Sequence, residues 1–475
     1  MNNIIGRERE QYLLNEYVES GKPEFIAVFG RRRVGKTFLI REYFNRQFAF
    51  YFSGADNTEK QQQLENFNTA LQQYGKEYYP VATSWFKAFG QLIRMLEKSQ
   101  KKGRKVIFID ELPWLDTPRS DFVQALEYFW NTWASAEPDI MLIVCGSATS
   151  WMLNKLIKNR GGLHNRVTRQ MPIEPFTLQE CEDFLKHHKI VLSRYQIVEC
   201  YMIMGGIPYY LEQLEKSSGL SQNIDNLFFN AKGVLKKEFT KLYASLFKNS
   251  DRYIKIVEAL GKKRKGLTRE EIITAIEFSD GGTLTKMLDE LEQCGFIRSY
   301  SAYEKRTKER LFQLVDFYSL FYLNFVKNNR HDDEHFWTNL IDNAKHRAWS
   351  GYAFEQVCMQ HTKQIRHKLG ISGVVTYSAS WRSKKSDPAA QVDLLIDRND
   401  GVINLCEMKY SKNEFTIDKK QDEYLRNRKA AFINESQTRK AVHTTMITTY
   451  GVKHNEYWGH IQSEVTMEDL FVKMR

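Results

Sequence analysis

At 475 residues the chain is longer than one hydrophobic core supports, so two to four domains are expected. Its 42% hydrophobic and 27% charged residues exclude a disordered or fibrous protein. No apolar run approaches the ~20 residues of a bilayer span, the N-terminus lacks the basic-then-apolar layout of a secretory signal, and the six cysteines form no C-x-x-C pair. A cytoplasmic protein without membrane, zinc or disulfide framework is expected. The net charge of +11 suits either a polyanionic partner or a solvated basic surface.

Up to about residue 175, apolar runs at 25–29, 49–52, 106–109 and 140–145 alternate with helical patterns, which predicts a parallel sheet with crossover helices. Trp85, Phe86, Phe89, Leu92, Ile93 and Leu96 recur at helical spacing, as do Phe122, Leu126, Phe129, Trp130 and Trp133. Such stripes read as core. Directly after the first strand stands Gly30-Arg31-Arg32-Arg33-Val34-Gly35-Lys36-Thr37, a complete G-x-x-x-x-G-K-[ST] in the strand-to-helix context that confirms it. Glycines let backbone N–H groups wrap phosphates at a helix N-terminus. Lys36 reaches the β- and γ-phosphates of ATP, and the Thr37 hydroxyl ligates Mg²⁺. The third run ends in Asp110-Glu111. Asp110 is placed to hold Mg²⁺ and Glu111 to act as general base toward the attacking water.

From Thr177 the pattern becomes helical, opening on the capping box Thr177-Leu178-Gln179-Glu180 and breaking at Gly205-Gly206-Ile207-Pro208. Residues 253–260, 268–276, 283–294, 296–300 and 310–315 read as three helices and two strands, the order of a winged helix-turn-helix. Its third helix has one lysine against three acids, which is poor for reading DNA. Lys262-Lys263-Arg264-Lys265 and the wing residues Lys305, Arg306, Lys308 and Arg310 suit a phosphate backbone better, with packing on the ATPase as the competing use. Beyond Val374 the chain is β-rich. Runs 392–396 and 402–409 flank the turn 397–401, so Glu407 and Lys409 share a strand face. Asp393, fourteen positions before Glu407 (407 − 393 = 14), can meet them across the hairpin. Two carboxylates and a carbonyl suit Mg²⁺, with Lys409 positioning or deprotonating a water. The bland alternative is a hairpin carrying surface charges, Asp397 and Asp400 among them.

With the strand-end Asp110-Glu111, Ile143-Val144-Cys145-Gly146-Ser147 and Gly205-Gly206-Ile207-Pro208, the chain resembles AAA+/STAND ATPases. More narrowly it resembles the prokaryotic archaeal-type ATPase family, which opens on a Gly-Arg-Glu motif, here Gly6-Arg7-Glu8 near the adenine. The resemblance implies Ser147 as the γ-phosphate sensor, Gly206 to Pro208 as a nucleotide-responsive lid element, and Arg166 as arginine finger, with Arg160 and Arg169 as alternatives. The D…E-x-K pattern resembles the PD-(D/E)xK nuclease superfamily, whose entry helix would be Trp349 to Glu355, with Glu355 as its acidic residue; Val392 stands where a proline is common. Asp316-Phe317-Tyr318, with Tyr322 and Phe325, fits the family's linker.

The expected fold is therefore an α/β P-loop NTPase core with a parallel sheet (1–176), a helical lid (177–248), a winged helix-turn-helix (249–330) and an α/β PD-(D/E)xK-like domain (331–475). The expected ligands are ATP and Mg²⁺, and DNA is the expected partner. Homo-oligomerisation would follow if ATP drives assembly. ATP-controlled DNA processing competes with an ATP-driven switch or scaffold whose C-terminal fold only binds, and a small-molecule kinase is a distant third.

Overall fold

The computed structural model describes residues 4–99, 103–158, 166–279, 281–300, 303, 310–329, 333–383 and 390–474. They divide into two compact units, 1–175 and 176–475. Among the described residues no helix is long and apolar enough to cross a membrane.

Among the described residues the first unit holds five parallel strands: β1 (Glu24–Phe29), β2 (Phe50–Ser53), β3 (Lys105–Asp110), β4 (Ile140–Gly146) and β5 (Arg169–Pro172), in the order β2-β3-β4-β1-β5. The apolar runs of β1, β3 and β4 are almost wholly buried, as parallel strands covered by helices on both faces must be. β5 was not expected from the sequence. It is an edge strand of Arg169-Gln170-Met171-Pro172 in which only Met171 is buried, so no apolar run marks it. The aromatic stripes are largely core, as expected, with Trp85 meeting Phe122 at 4.9 Å and Phe89 stacking on Phe129 at 5.1 Å, but Phe86 is exposed because it lies on the outer side of its helix. Each such side chain contributes roughly 1.5–3 kcal/mol of apolar burial. Because the strands are parallel, the ends of β1, β3 and β4 open on one edge, where α/β sheets place their ligands.

The second unit begins with the expected capping box, Thr177 N–H donating to Glu180 at 2.8 Å. Gly205 ends the helix Arg194–Met204 at φ 68°. Helix Ser250–Gly261, β6 (Leu267–Thr268), helices Arg269–Ile276 and Gly282–Gln293, then β7 (Ile297–Tyr300) and β8 (Leu311–Leu314) follow, with an antiparallel sheet ordered β6-β8-β7. The two-residue β6 is too short for any periodicity to show. The wing positions Lys305, Arg306 and Lys308 lie outside the described residues. The expected linker at 316–325 is instead largely core, with Phe317, Tyr318, Phe321 and Phe325 buried. Asp316 caps this short helix by accepting from Ser319 N–H at 3.0 Å, and Phe321 packs against Trp337 and Trp349.

Last come helix Ala344–Gln360 and a mixed sheet of β9 (Thr376–Arg382), β10 (Gln391–Arg398), β11 (Val402–Lys409), β12 (Ala441–Thr448) and β13 (Ser463–Thr466), ordered β13-β12-β11-β10-β9. β9, β10 and β11 pair antiparallel; β11, β12 and β13 pair parallel. Helix Lys419–Ser436 lies between β11 and β12 in the chain. The expected hairpin charges are satisfied locally, Asp397 by Lys440 and Asp400 by Arg398.

Candidate nucleotide site and C-terminal carboxylate cluster

Between β1 and helix Lys36–Tyr43 the loop turns on glycines. Gly35 caps the helix at φ 87°, and a Cβ on Gly30 would lie 2.2 Å from the Ile173 carbonyl oxygen. Only glycine fits there. Lys36 Nζ donates to the carbonyls of Gly30 at 2.9 Å and Arg31 at 2.7 Å, which folds it back over the loop. Arg32 and Arg33 are half-buried in that loop. Val34 is buried, and its carbonyl accepts from Arg7 Nη2 at 3.0 Å. The Gly6-Arg7-Glu8 opening thus braces the loop from behind.

Asp110 ends β3 and accepts from the Thr37 hydroxyl at 2.8 Å and from the Glu111 amide at 2.9 Å. Glu111, at φ 44°, accepts from the Ser147 hydroxyl at 2.9 Å. Burial pushes the Glu111 carboxyl above its usual range and Asp110 adds to this, while Ser147 and Lys36 oppose it. A carboxylate so raised is a better proton acceptor. The turn carrying Glu111 is hemmed in by two glycines whose role was not read in the sequence. A Cβ on Gly54 would meet the Glu111 carbonyl oxygen at 2.7 Å, and one on Gly146 would meet Pro113 at 2.7 Å. Thr37, Asp110, Glu111 and Ser147 are thus joined at one sheet edge, with Lys36 beside Thr37 in the chain. Arg166 is exposed. Arg169 lies over the Tyr17 ring and pairs with Glu24 at 3.4 Å, while Arg160 falls outside the described residues.

Residues 4–214 match the family described as an ATPase domain predominantly from Archaea. It is residues 4–214 that carry an archaeal-type ATPase domain. The chain is 24% identical over 362 residues to an uncharacterized protein of Methanocaldococcus jannaschii, covering 75% of this chain and 76% of that one. Among solved structures it is similar to the Walker-type ATPase of Pyrococcus abyssi, with 18% identity, TM-score 0.47, 68% of this chain and 96% of that one. It is also similar to the Aeropyrum pernix ORC2 protein, with 11% identity, TM-score 0.42, 72% of this chain and 97% of that one.

Beyond the ATPase domain, Glu355, Asp393, Glu407 and Lys409 form a second group. Asp393 and Glu407 lie one step past the Leu394–Cys406 pair of the β10–β11 ladder. A register shift between Val392 and Leu395 kinks β10 against β9 at that point. Lys409 Nζ pairs with Glu407 at 2.8 Å, as their shared strand face requires. Burial raises the Glu355 carboxyl to about 8, with Asp393 and Glu407 adding repulsion. Burial likewise raises Asp393. Burial also pushes Glu407 upward, but Arg428 and Lys409 outweigh it and hold the carboxyl below its usual range.

The metal set expected at Glu355, Asp393 and Glu407 is not preformed. Among the described residues no three carboxylate, imidazole or thiol groups stand at a spacing that would hold an ion. The reason is that protein groups take the oxygens. Arg428 Nη1 and Lys409 bind Glu407, and Gln391 Nε2 donates to Asp393. Arg428 was not read in the sequence. It sits on helix Lys419–Ser436 under the Tyr424 ring, at 5.4 Å from its centroid, with Gln421 and Tyr424 at the i, i+3, i+7 spacing of one face. That spacing was the available signal, masked by the helix's polarity. Gln391 Oε1, Gln421 Nε2 and Arg428 Nε are buried without a hydrogen-bond partner, and such polar atoms ask for a ligand or water.

Proposed function

We propose that the chain hydrolyses ATP and couples this to metal-dependent processing of DNA by a PD-(D/E)xK-like C-terminal domain, with residues 249–330 acting as a winged helix. The observation that carries the ATPase half is the connected group Thr37–Asp110–Glu111–Ser147 at one edge of a parallel sheet, beside a glycine-turned loop on which Lys36 folds back. Thr37 and Asp110 offer Mg²⁺ hard oxygen donors, Lys36 takes the phosphates, Glu111 accepts the proton of the attacking water and Ser147 holds Glu111. Arg166 is the candidate finger. In the second unit, Glu355, Asp393 and Glu407 are three carboxylates of the chemistry a divalent cation takes, and Glu355 is raised to about 8 partly by the other two. A bound cation there would supply charge neutralisation and an activated water. This chain's own residues orient that water through Lys409.

The pairing of Glu407 with Arg428 favours a second reading, an ATP-driven switch whose nuclease-like domain binds without cutting. Incubating the full chain with labelled linear, circular and branched DNA, varying ATP, Mg²⁺ and Mn²⁺, separates the two. Cleavage lost in Asp393→Ala and Lys409→Ala supports processing. No cleavage in any condition, or cleavage undiminished in both variants, overturns it.

A further inference from the structure

The basic run Lys262–Lys265 lies in the turn between helix Ser250–Gly261 and β6, and its shape is held from all sides. Gly266 has φ +80°, and a Cβ there would lie 2.5 Å from the Phe312 carbonyl oxygen. The Arg264 carbonyl accepts from Gln313 Nε2 at 2.5 Å and from the Tyr352 hydroxyl at 3.1 Å, and the Lys265 carbonyl accepts from the Tyr300 hydroxyl at 2.6 Å. Gln313 in turn accepts from Arg298 Nη2 at 2.6 Å, and Arg298 also reaches Met359. Tyr352 and Met359 flank Glu355 on helix Ala344–Gln360, three residues before it and four after. Tyr303 N–H donates to the Ser380 carbonyl of β9 at 2.8 Å and its ring packs on Phe432, so the same module also meets the C-terminal sheet.

These contacts bring the cations of one module to the carboxylates of the other. The Arg264 guanidinium lies over the Tyr352 ring, 5.5 Å from its centroid. Arg264 acts electrostatically on Glu355, and Lys265 on Asp393. Neighbouring Lys263 is neutralised by Glu271 at 2.9 Å, whereas Arg264 and Lys265 are exposed and have no carboxylate within ion-pair distance among the described residues. A rigid turn that presents two unpaired cations beside a carboxylate cluster has the form of a phosphate clamp. Its backbone conformation is already set, so binding would order little more than two side chains.

We infer that Arg264 and Lys265 bind the phosphate backbone of a nucleic-acid strand lying at the Glu355–Asp393–Glu407 cluster, so that the site is built from two modules. This rests on the nucleic-acid reading above and names which surface holds the strand. Neither the wing nor the acidic helix Gly282–Gln293 is needed for it.

The test is fluorescence anisotropy of a labelled DNA duplex with a single-stranded overhang, titrated with the full chain in EDTA over a range of salt, beside a Mg²⁺ cleavage assay. Arg264→Glu/Lys265→Glu should weaken binding by about tenfold or more and lower the slope of log affinity against log salt by about 2. Arg264→Lys/Lys265→Arg should restore both. Lys216→Glu/Lys232→Glu, an equal charge change at exposed lysines, should leave the slope near the parent's. A parent that cuts DNA while the Arg264/Lys265 reversal leaves affinity and slope unchanged overturns this inference and spares the nuclease reading. Binding that depends on the two residues without cleavage supports it while the nuclease reading fails. A parent that does not bind DNA overturns it.

Discussion

At the end of β3, Asp110 is met by neutral donors, the Thr37 hydroxyl at 2.8 Å and the Glu111 amide at 2.9 Å. At the end of β11, Glu407 is met by two full cations, Lys409 and Arg428. Both carboxylates are buried, so both need partners. The partners differ in what they leave behind. Dipoles orient Asp110 and keep its negative charge available to an incoming ion. Guanidinium and ammonium groups cancel the charge of Glu407, so an ion entering there must displace a bond already made. The strand end at Asp110 is left open to a ligand, and the C-terminal cluster must rearrange for one.

The sharpest way to break this contrast is to remove Arg428. Its side chain is 3% exposed and that of Glu407 11%, so Arg428→Ala leaves a buried carboxylate with Lys409 as its remaining cation and should cost up to roughly 3–5 kcal/mol, read by urea denaturation. A loss below about 1 kcal/mol would show that Lys409 and water suffice to compensate Glu407, as at an exposed pair. Asp393→Ala at the same cluster should leave stability unchanged or raise it, because it relieves Glu355 of like charge.

The second unit also carries a pH-sensitive joint. His361 is buried, accepts from the Leu178 amide at 3.1 Å, and by burial is depressed from 6.5 to about 4. Its unfolded form takes up a proton first, so nothing is lost above pH 6.5. As pH falls from 6.5 to about 4 the unit should lose roughly 3 kcal/mol. Denaturation at pH 7 and pH 4.5 checks this, and His361→Gln should flatten the slope.

In the ATPase domain the expected effects are kinetic. Glu111→Gln keeps the shape but cannot take the proton, so turnover should fall on the order of 10²-fold with ATP still bound. Equal turnover would remove Glu111 from the base role. Lys36→Ala should weaken ATP binding about tenfold, near 1.4 kcal/mol, by isothermal titration. If its affinity matches the parent's, the loop does not hold phosphates through this lysine.

Local chemistry was legible in the chain. The P-loop, Asp110-Glu111, the capping box at Thr177 and the Glu407-x-Lys409 face each depend on residues a few positions apart, whose geometry is dictated by one turn, one helix end or one strand's alternation. The strands β1, β3 and β4 could be read because burial on both faces writes itself as an unbroken apolar run, and the half-buried edge strand β2 because its aromatic residues are consecutive. What only the tertiary structure decided is everything carried by residues far apart in the chain. Arg428 comes to Glu407 from 21 positions away, and Gly54 and Gly146 close on the Glu111 turn from separate strands. The aromatic run after Asp316 is core because Trp337 and Trp349 close over it. Arg264 and Lys265 stand beside carboxylates about 90 to 130 positions later because Gln313, Tyr300 and Tyr352 hold their turn there. No periodicity encodes such meetings, since they depend on which faces the packed elements turn toward one another.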